Sequence, residues 1–201
     1  MKQLLFIHGG EIFAKEEDAL DFLASLEIDP NEDKAKRWKH YLAEDLGDDW
    51  QVYAPEMPNK LDAKYGQWKI WFEKYIPYLK DGVVLVGHSL GAMFLARYLS
   101  EQRLPVQVSK LFLLSGECVP NECVEKGGRG GSFYPEMENI EVLEDSAWEI
   151  YIVHSRDDPV VPYAHALRWK ECLPKAKMVS FEDKGHFLHE RFPELIELIL
   201  A

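Results

Sequence analysis

The sequence predicts a three-layer α/β/α sandwich with about six mostly parallel strands. Three observations carry this. Short apolar runs alternate with amphipathic runs along the whole chain. One of them, Val83-Val84-Leu85-Val86, shows no polar alternation, as expected of a strand buried on both faces. A serine between two glycines, in Gly87-His88-Ser89-Leu90-Gly91, stands where that run must turn into a helix.

The elements follow in order. Gln3–His8 opens the chain with an apolar run too short for a signal-peptide core, and reads as a strand. Ala14–Leu26 is an extra helix inserted directly after it. Lys34–Leu46 reads as a helix because Trp38, Tyr41, Leu42 and Leu46 form one stripe at helical spacing. Gln51–Ala54 is a short strand and Tyr65–Leu79 a helix. Val83–Gly87 is the central strand, and Leu90–Gln102 the helix it feeds. Lys110–Leu114, Glu149–His154 and Lys177–Phe181 complete the strands. Tyr163–Cys172 and Pro193–Leu200 complete the helices. Two stretches exceed a minimal alternation, at about 11–31 and 117–146. The second is acidic and contains Gly-Gly-Arg-Gly-Gly at 127–131. Both follow strand C-termini, the edge where open α/β sheets build their sites, so both are candidate lids.

Composition narrows the function classes. A chain of 201 residues with 47% hydrophobic residues suits one domain spanning 1–201. A formal charge of −12 argues against nucleic acid and anionic membrane surfaces as partners. No run approaches the length of a membrane span. Three cysteines, Cys118, Cys123 and Cys172, give no disulfide framework and point to a reducing, cytoplasmic setting.

Gly-x-Ser-x-Gly between strand and helix is the pattern of a nucleophile elbow. The tight turn strains the serine backbone and exposes its hydroxyl. Glycines on either side let strand and helix approach closely. The amides at the start of the following helix favour developing negative charge. A serine needs a base, and the base needs an orienting carboxylate. Both follow in the order Ser, Asp, His. Asp157 and Asp158 come just past the fifth strand, before Pro159 and Pro162. His186 follows Gly185 after the sixth strand. His88 and His154 adjoin these positions at strand ends and are expected to orient or pack. His8 is expected to pack beneath the first loop, and His40, His165 and His189 to lie on the surface. An oxyanion hole is expected from the amides of Leu90 and of Gly10, in His8-Gly9-Gly10, with Glu11 as the rival to Gly10.

With these residues in place, the sequence resembles an α/β-hydrolase-fold serine hydrolase. Within that fold it is most similar to the small YdeN/retinoblastoma-binding-protein type. The resemblance runs from His8-Gly9-Gly10 through Gly87–Gly91, Asp158-Pro159-Val160-Val161-Pro162 and Gly185-His186-Phe187. Pro55–Asn59 and a downstream tryptophan, Trp68 or Trp71, point to the subgroup. It implies Ser89 as nucleophile, His186 as general base and acid, and Asp158 as its orienter, because the family's acid immediately precedes this Pro-x-x-Pro turn. It also implies ester hydrolysis, with small carboxylic esters ahead of thioesters and amides. An acyltransferase using the same triad, and a binding protein retaining the fold, are the alternatives. Core packing is the default expectation for the tryptophans, with Trp68 and Trp71 also candidates to line an acyl pocket.

Other chemistries find little support. Cys118 and Cys123 have no matching Cys or His pair at zinc spacing. No Gly-x-Gly-x-x-Gly follows a strand and no phosphate loop is present, so no cofactor is expected. The expected partner is a small-molecule ester.

Overall fold

The structure is a computed structural model; it describes residues 1–29, 36–118, 131–135 and 137–201. Six strands form one sheet: β1 (Lys2–Ile7), β2 (Trp50–Tyr53), β3 (Val83–His88), β4 (Val108–Leu114), β5 (Ala147–Ser155) and β6 (Lys177–Phe181). Every strand pairing is parallel, in the order β2-β1-β3-β4-β5-β6. Among the described residues the α-helices are α1 (Glu16–Ser25), α2 (Leu42–Leu46), α3 (Tyr65–Glu73), α4 (Leu90–Glu101), α5 (Ala164–Cys172) and α6 (Pro193–Leu200).

Burial on both faces explains the apolar strands. One core lies between the sheet and α3, α4 and α5, and includes Trp68, Phe72, Phe94 and Trp169. A second lies between the other face and α2 and α6, and includes Trp38, Leu42, Leu195 and Ile199. Val83 to Val86 alternate between these two cores and are at most 2% exposed. The sequence is thus read correctly as an α/β/α sandwich.

The strand order fixes where a site can form. From β1 the chain runs outward to β2, then returns past β1 to β3 and continues to β6 on the other side. The order therefore reverses between β1 and β3, which places a crevice beyond their C-terminal ends. Their register pairs Ile7 with Gly87. His8-Gly9-Gly10 is consequently set beside His88-Ser89.

Two predicted helices are broken. The Tyr65–Leu79 run ends as α-helix at Glu73 and resumes as a 3-10 turn at Ile76–Tyr78. Pro77 lacks an N–H, and its ring clashes with the carbonyl four residues back, that of Glu73. The Lys34–Leu46 run, whose first two residues lie outside the described ones, splits into a 3-10 turn at Trp38–His40 and α2. Here tertiary bonds override periodicity. The Trp38 amide donates to the His189 carbonyl at 3.2 Å, and Trp38 Nε1 to the Phe187 carbonyl at 2.8 Å. Ala14–Leu26 is helical over Glu16–Ser25. In 117–146, Cys123 and most of the glycine run lie outside the described residues. The remainder is not a loose surface loop. Phe133 and Leu143 are fully buried, and the Phe133 ring meets Trp68 at 5.1 Å.

Candidate active site

The elbow forms because three backbone segments crowd it. A Cβ on Gly91 would lie 2.1 Å from the Ile7 carbonyl oxygen, and one on Gly87 2.5 Å from the Gly91 oxygen. Only glycine fits either position. Ser89 between them has φ 55° and ψ −121°, a conformation rare for a residue with a Cβ. It is clamped from both sides. Its amide donates to the Leu114 carbonyl at 2.8 Å, and its carbonyl accepts from the Ala92 amide at 2.9 Å. Such strain costs roughly 1–3 kcal/mol and persists only where the surroundings impose it.

Asp158 and His186 meet across the neighbouring strand ends. His186 Nδ1 is 2.8 Å from Asp158 Oδ2. Asp158 Oδ1 accepts the amides of Val160 at 2.8 Å and Val161 at 2.9 Å. The Asp-Pro turn and the histidine partner are therefore one device: Oδ1 caps the turn and lies 3.1 Å from His186 Nδ1, while Oδ2 makes the shorter contact. Burial pushes the Asp158 carboxyl up, but the His186 bond and the Val161 amide outweigh it and bring it down to about 2. The buried Ser115 hydroxyl nearby adds to that lowering. An ionised Asp158 only accepts, so His186 Nδ1 donates and Nε2 is the basic nitrogen.

Asp157 does a different job. Its Oδ1 accepts the Ser155 hydroxyl and, at 2.9 Å, the Gly185 amide. It anchors the loop that carries His186. The same loop is held by His88, whose Nε2 donates to the His186 carbonyl at 2.9 Å. Full burial, reinforced by the His186 charge, pushes His88 down to about 3, so it stays neutral. His154 Nε2 donates to the Val161 carbonyl at 2.8 Å and sits 3.5 Å from Asp158. Both histidines orient, as expected. His165 does not lie on the surface. It is 6% exposed, and its Nδ1 accepts the Cys118 amide at 3.0 Å.

The first loop is similarly fixed. The Met57 amide donates to His8 Nε2 at 2.8 Å, so the His8 proton sits on Nδ1, facing the Gly9 carbonyl. Trp68 Nε1 donates to the Pro58 carbonyl at 2.9 Å, and its ring lies against Gly10. The Pro55–Asn59 segment thus supports the loop opposite Ser89. The Glu11 amide is committed to the Lys60 carbonyl at 2.8 Å. The amides of Gly10 and Leu90 have no backbone acceptor among the described residues.

Two cavities meet at Ser89. The larger, about 320 Å³, also holds His186, Trp38 and Lys39 on its wall. The smaller, about 70 Å³, is lined by Ile12, Leu90, Met93 and Val161. Trp68 and Trp71 are on neither wall. Trp68 is fully buried in the core and Trp71 is 39% exposed. Of the two candidate lids, Glu11, Ile12 and Glu117 reach the cavities. Ser89 Oγ makes no hydrogen bond among the described residues; unliganded sites often leave that bond open. The contribution of Trp38 and Lys39 is invisible in the local sequence, because it depends on the bonds from Trp38 to the 187–189 loop. No group of metal ligands occurs among the described residues, and no described helix is long and apolar enough to cross a membrane.

A family model described as serine hydrolase matches residues 31–199. The chain is 26% identical over 150 residues to the serine hydrolase RBBP9 of Rattus norvegicus, covering 75% of this chain and 76% of that one. It is 27% identical over 147 residues to the putative hydrolase YdeN of Bacillus subtilis, covering 72% and 74%. The crystal structure of the B. subtilis ydeN product superposes with a TM-score of 0.70 at 20% identity, covering 100% of this chain and 97% of that one. With the family model spanning most of the chain and the α/β-hydrolase fold in common, this chain belongs to the serine hydrolase family.

Proposed function

We propose that this serine hydrolase is a carboxylesterase acting on small esters. The observation that carries the proposal is the strained Ser89 sharing one cavity with a His186 whose ring is fixed by Asp158. Ser89 Oγ attacks the ester carbonyl as His186 Nε2 takes its proton. The Gly10 and Leu90 amides receive the oxyanion. The carbon–oxygen bond to the alcohol then breaks, and His186 returns the proton to the departing alcohol. Water attacks the acyl-serine, giving its proton to His186, and the acid leaves as Ser89 is restored. Asp158 stays ionised throughout and holds the imidazolium.

Turnover of a panel of short-chain esters by wild type, Ser89→Ala and His186→Ala tests this. Wild-type turnover with losses of at least about a thousandfold in both variants is expected. Equal rates in wild type and Ser89→Ala would refute it.

A further inference from the structure

We infer that the ester accepted here joins a short apolar acyl group to an alcohol bearing an anionic group, a carboxylate or a phosphate. The inference rests on Ser89 being the nucleophile.

The two cavities divide the substrate. Gly10, Glu11, Ser89 and Val160 belong to both walls, His186 only to the larger and Leu90 only to the smaller. The proton that His186 takes from Ser89 must be delivered to the departing alcohol oxygen, so the alcohol lies in the larger cavity. The acyl group is left with the smaller one. At about 70 Å³ and walled by Ile12, Leu90, Met93 and Val161 together with Glu11 and Glu117, that space is limited and disfavours an anionic acyl group. An apolar cavity of about 150 Å³ takes a benzene ring, so half of it takes an acyl chain of about two to four carbons.

Charge describes the alcohol. The chain carries a formal −12, yet the larger cavity collects Arg37, Lys39 and Lys60 against one carboxylate, Glu11. Lys60 is engaged at 2.8 Å by Glu56. Arg37 and Lys39 have no carboxylate within ion-pair distance among the described residues. Lys39 is half-buried beside Trp38 and His186 on the same wall. Burial lowers its ammonium, and Lys60 and Arg37 lower it further against the pull of Glu56. A cation desolvated beside other cations is completed by an anion. A bound carboxylate or phosphate on the alcohol supplies one where the geometry puts the leaving group.

The test compares phenyl acetate, the acetate ester of 3-hydroxybenzoate, the acetate ester of 3-hydroxyphenyl phosphate, and phenyl octanoate. Wild type is expected to favour at least one anionic acetate over phenyl acetate by roughly tenfold in kcat/KM. The more strongly preferred of the two identifies the anion. Lys39→Met and Arg37→Gln are each expected to lower that ratio severalfold, Lys39→Arg to retain most of it, and added salt to reduce it. Phenyl octanoate is expected to be slower than phenyl acetate. An anionic-to-neutral ratio at or below one, or one unmoved by both variants, overturns the alcohol assignment. Faster octanoate turnover overturns the acyl assignment. Fluorophosphonate labelling of Ser89 in the same samples separates the causes. Labelled protein with a flat ratio defeats this inference alone, whereas absence of labelling and of all turnover defeats the hydrolase reading and the inference with it.

Discussion

Asp158 Oδ2 and His186 Nδ1 lie 2.8 Å apart although 28 residues separate them in sequence. The adjacent Asp157 turns instead to Ser155 and the Gly185 amide. The two aspartates should therefore fail differently. Asp158→Asn cannot hold the same histidine tautomer, and kcat should fall by roughly a thousandfold or more. Asp157→Asn keeps an acceptor for Gly185 and should cost about tenfold or less, since it acts only through the loop. Steady-state kinetics on a short ester decide; a larger loss in Asp157→Asn would reverse the assignment.

Gly91 at the elbow and Gly66 in α3 predict opposite outcomes from one substitution. Gly91→Ala places a Cβ 2.1 Å from the Ile7 oxygen, with backbone on both sides and nothing flexible to move. It should destabilise by about 3 kcal/mol or more, at the upper end of overpacking costs. Gly66→Ala, in α3, meets nothing within 4 Å. It should stabilise by about 0.5–1 kcal/mol through helix propensity alone. Urea unfolding of both proteins measures this, and equal stabilities would contradict the packing account.

Acid stability should fall in two stages. His88 is held at about 3, below its ordinary 6.5, so an unfolded chain binds a proton there before the folded one does. Stability is full above pH 6.5 and is lost as pH falls toward 3. His8, lowered mainly by burial, acts in the same direction. Asp158, held at about 2 against an ordinary 3.8, adds a second loss as pH falls from 3.8 through 2. His88→Gln retains a donor for the His186 carbonyl and removes the titration. Its stability should change less than that of wild type between pH 6.5 and 4 in denaturant titrations. Parallel pH curves would contradict the assignment of the first stage to His88.

Trp38 ties the base-bearing loop to the cavity wall through its 2.8 Å bond to the Phe187 carbonyl. Trp38→Phe keeps much of the apolar packing and loses that bond. It should lower stability by about 1–3 kcal/mol through an unsatisfied buried carbonyl, and lower kcat with it. Unchanged stability and kcat would show that the loop does not depend on Trp38.

The parts legible in the sequence are those whose cause is local. Lys177–Phe181 matches its strand at both ends, because period and composition mark a strand directly. β4 and β5 begin two residues earlier than composition suggests, since Val108 joins the ladder through Val83 on one side and Ala147 on the other. Ser89, Asp158 and His186 are legible as candidates because an elbow and two strand-end loops each carry a local signature. Trp38–His40 was not, because bonds to Phe187 and His189 set its backbone against its helical period. For Trp68 and Trp71 the sequence leaves core packing and an acyl-pocket wall both open. Packing sends Trp68 into the core, the default for a tryptophan, and leaves Trp71 partly toward solvent. The buried His165 and the basic wall at Arg37 and Lys39 depend on partners many residues away, and no local pattern announces them.

The proposed chemistry requires Ser89 to be an activated nucleophile. Fluorophosphonate labelling of wild type and Ser89→Ala, read by intact mass, tests it most directly. The account predicts one adduct on wild type and none on Ser89→Ala. No adduct on folded wild type, or an adduct that persists in Ser89→Ala, would contradict it.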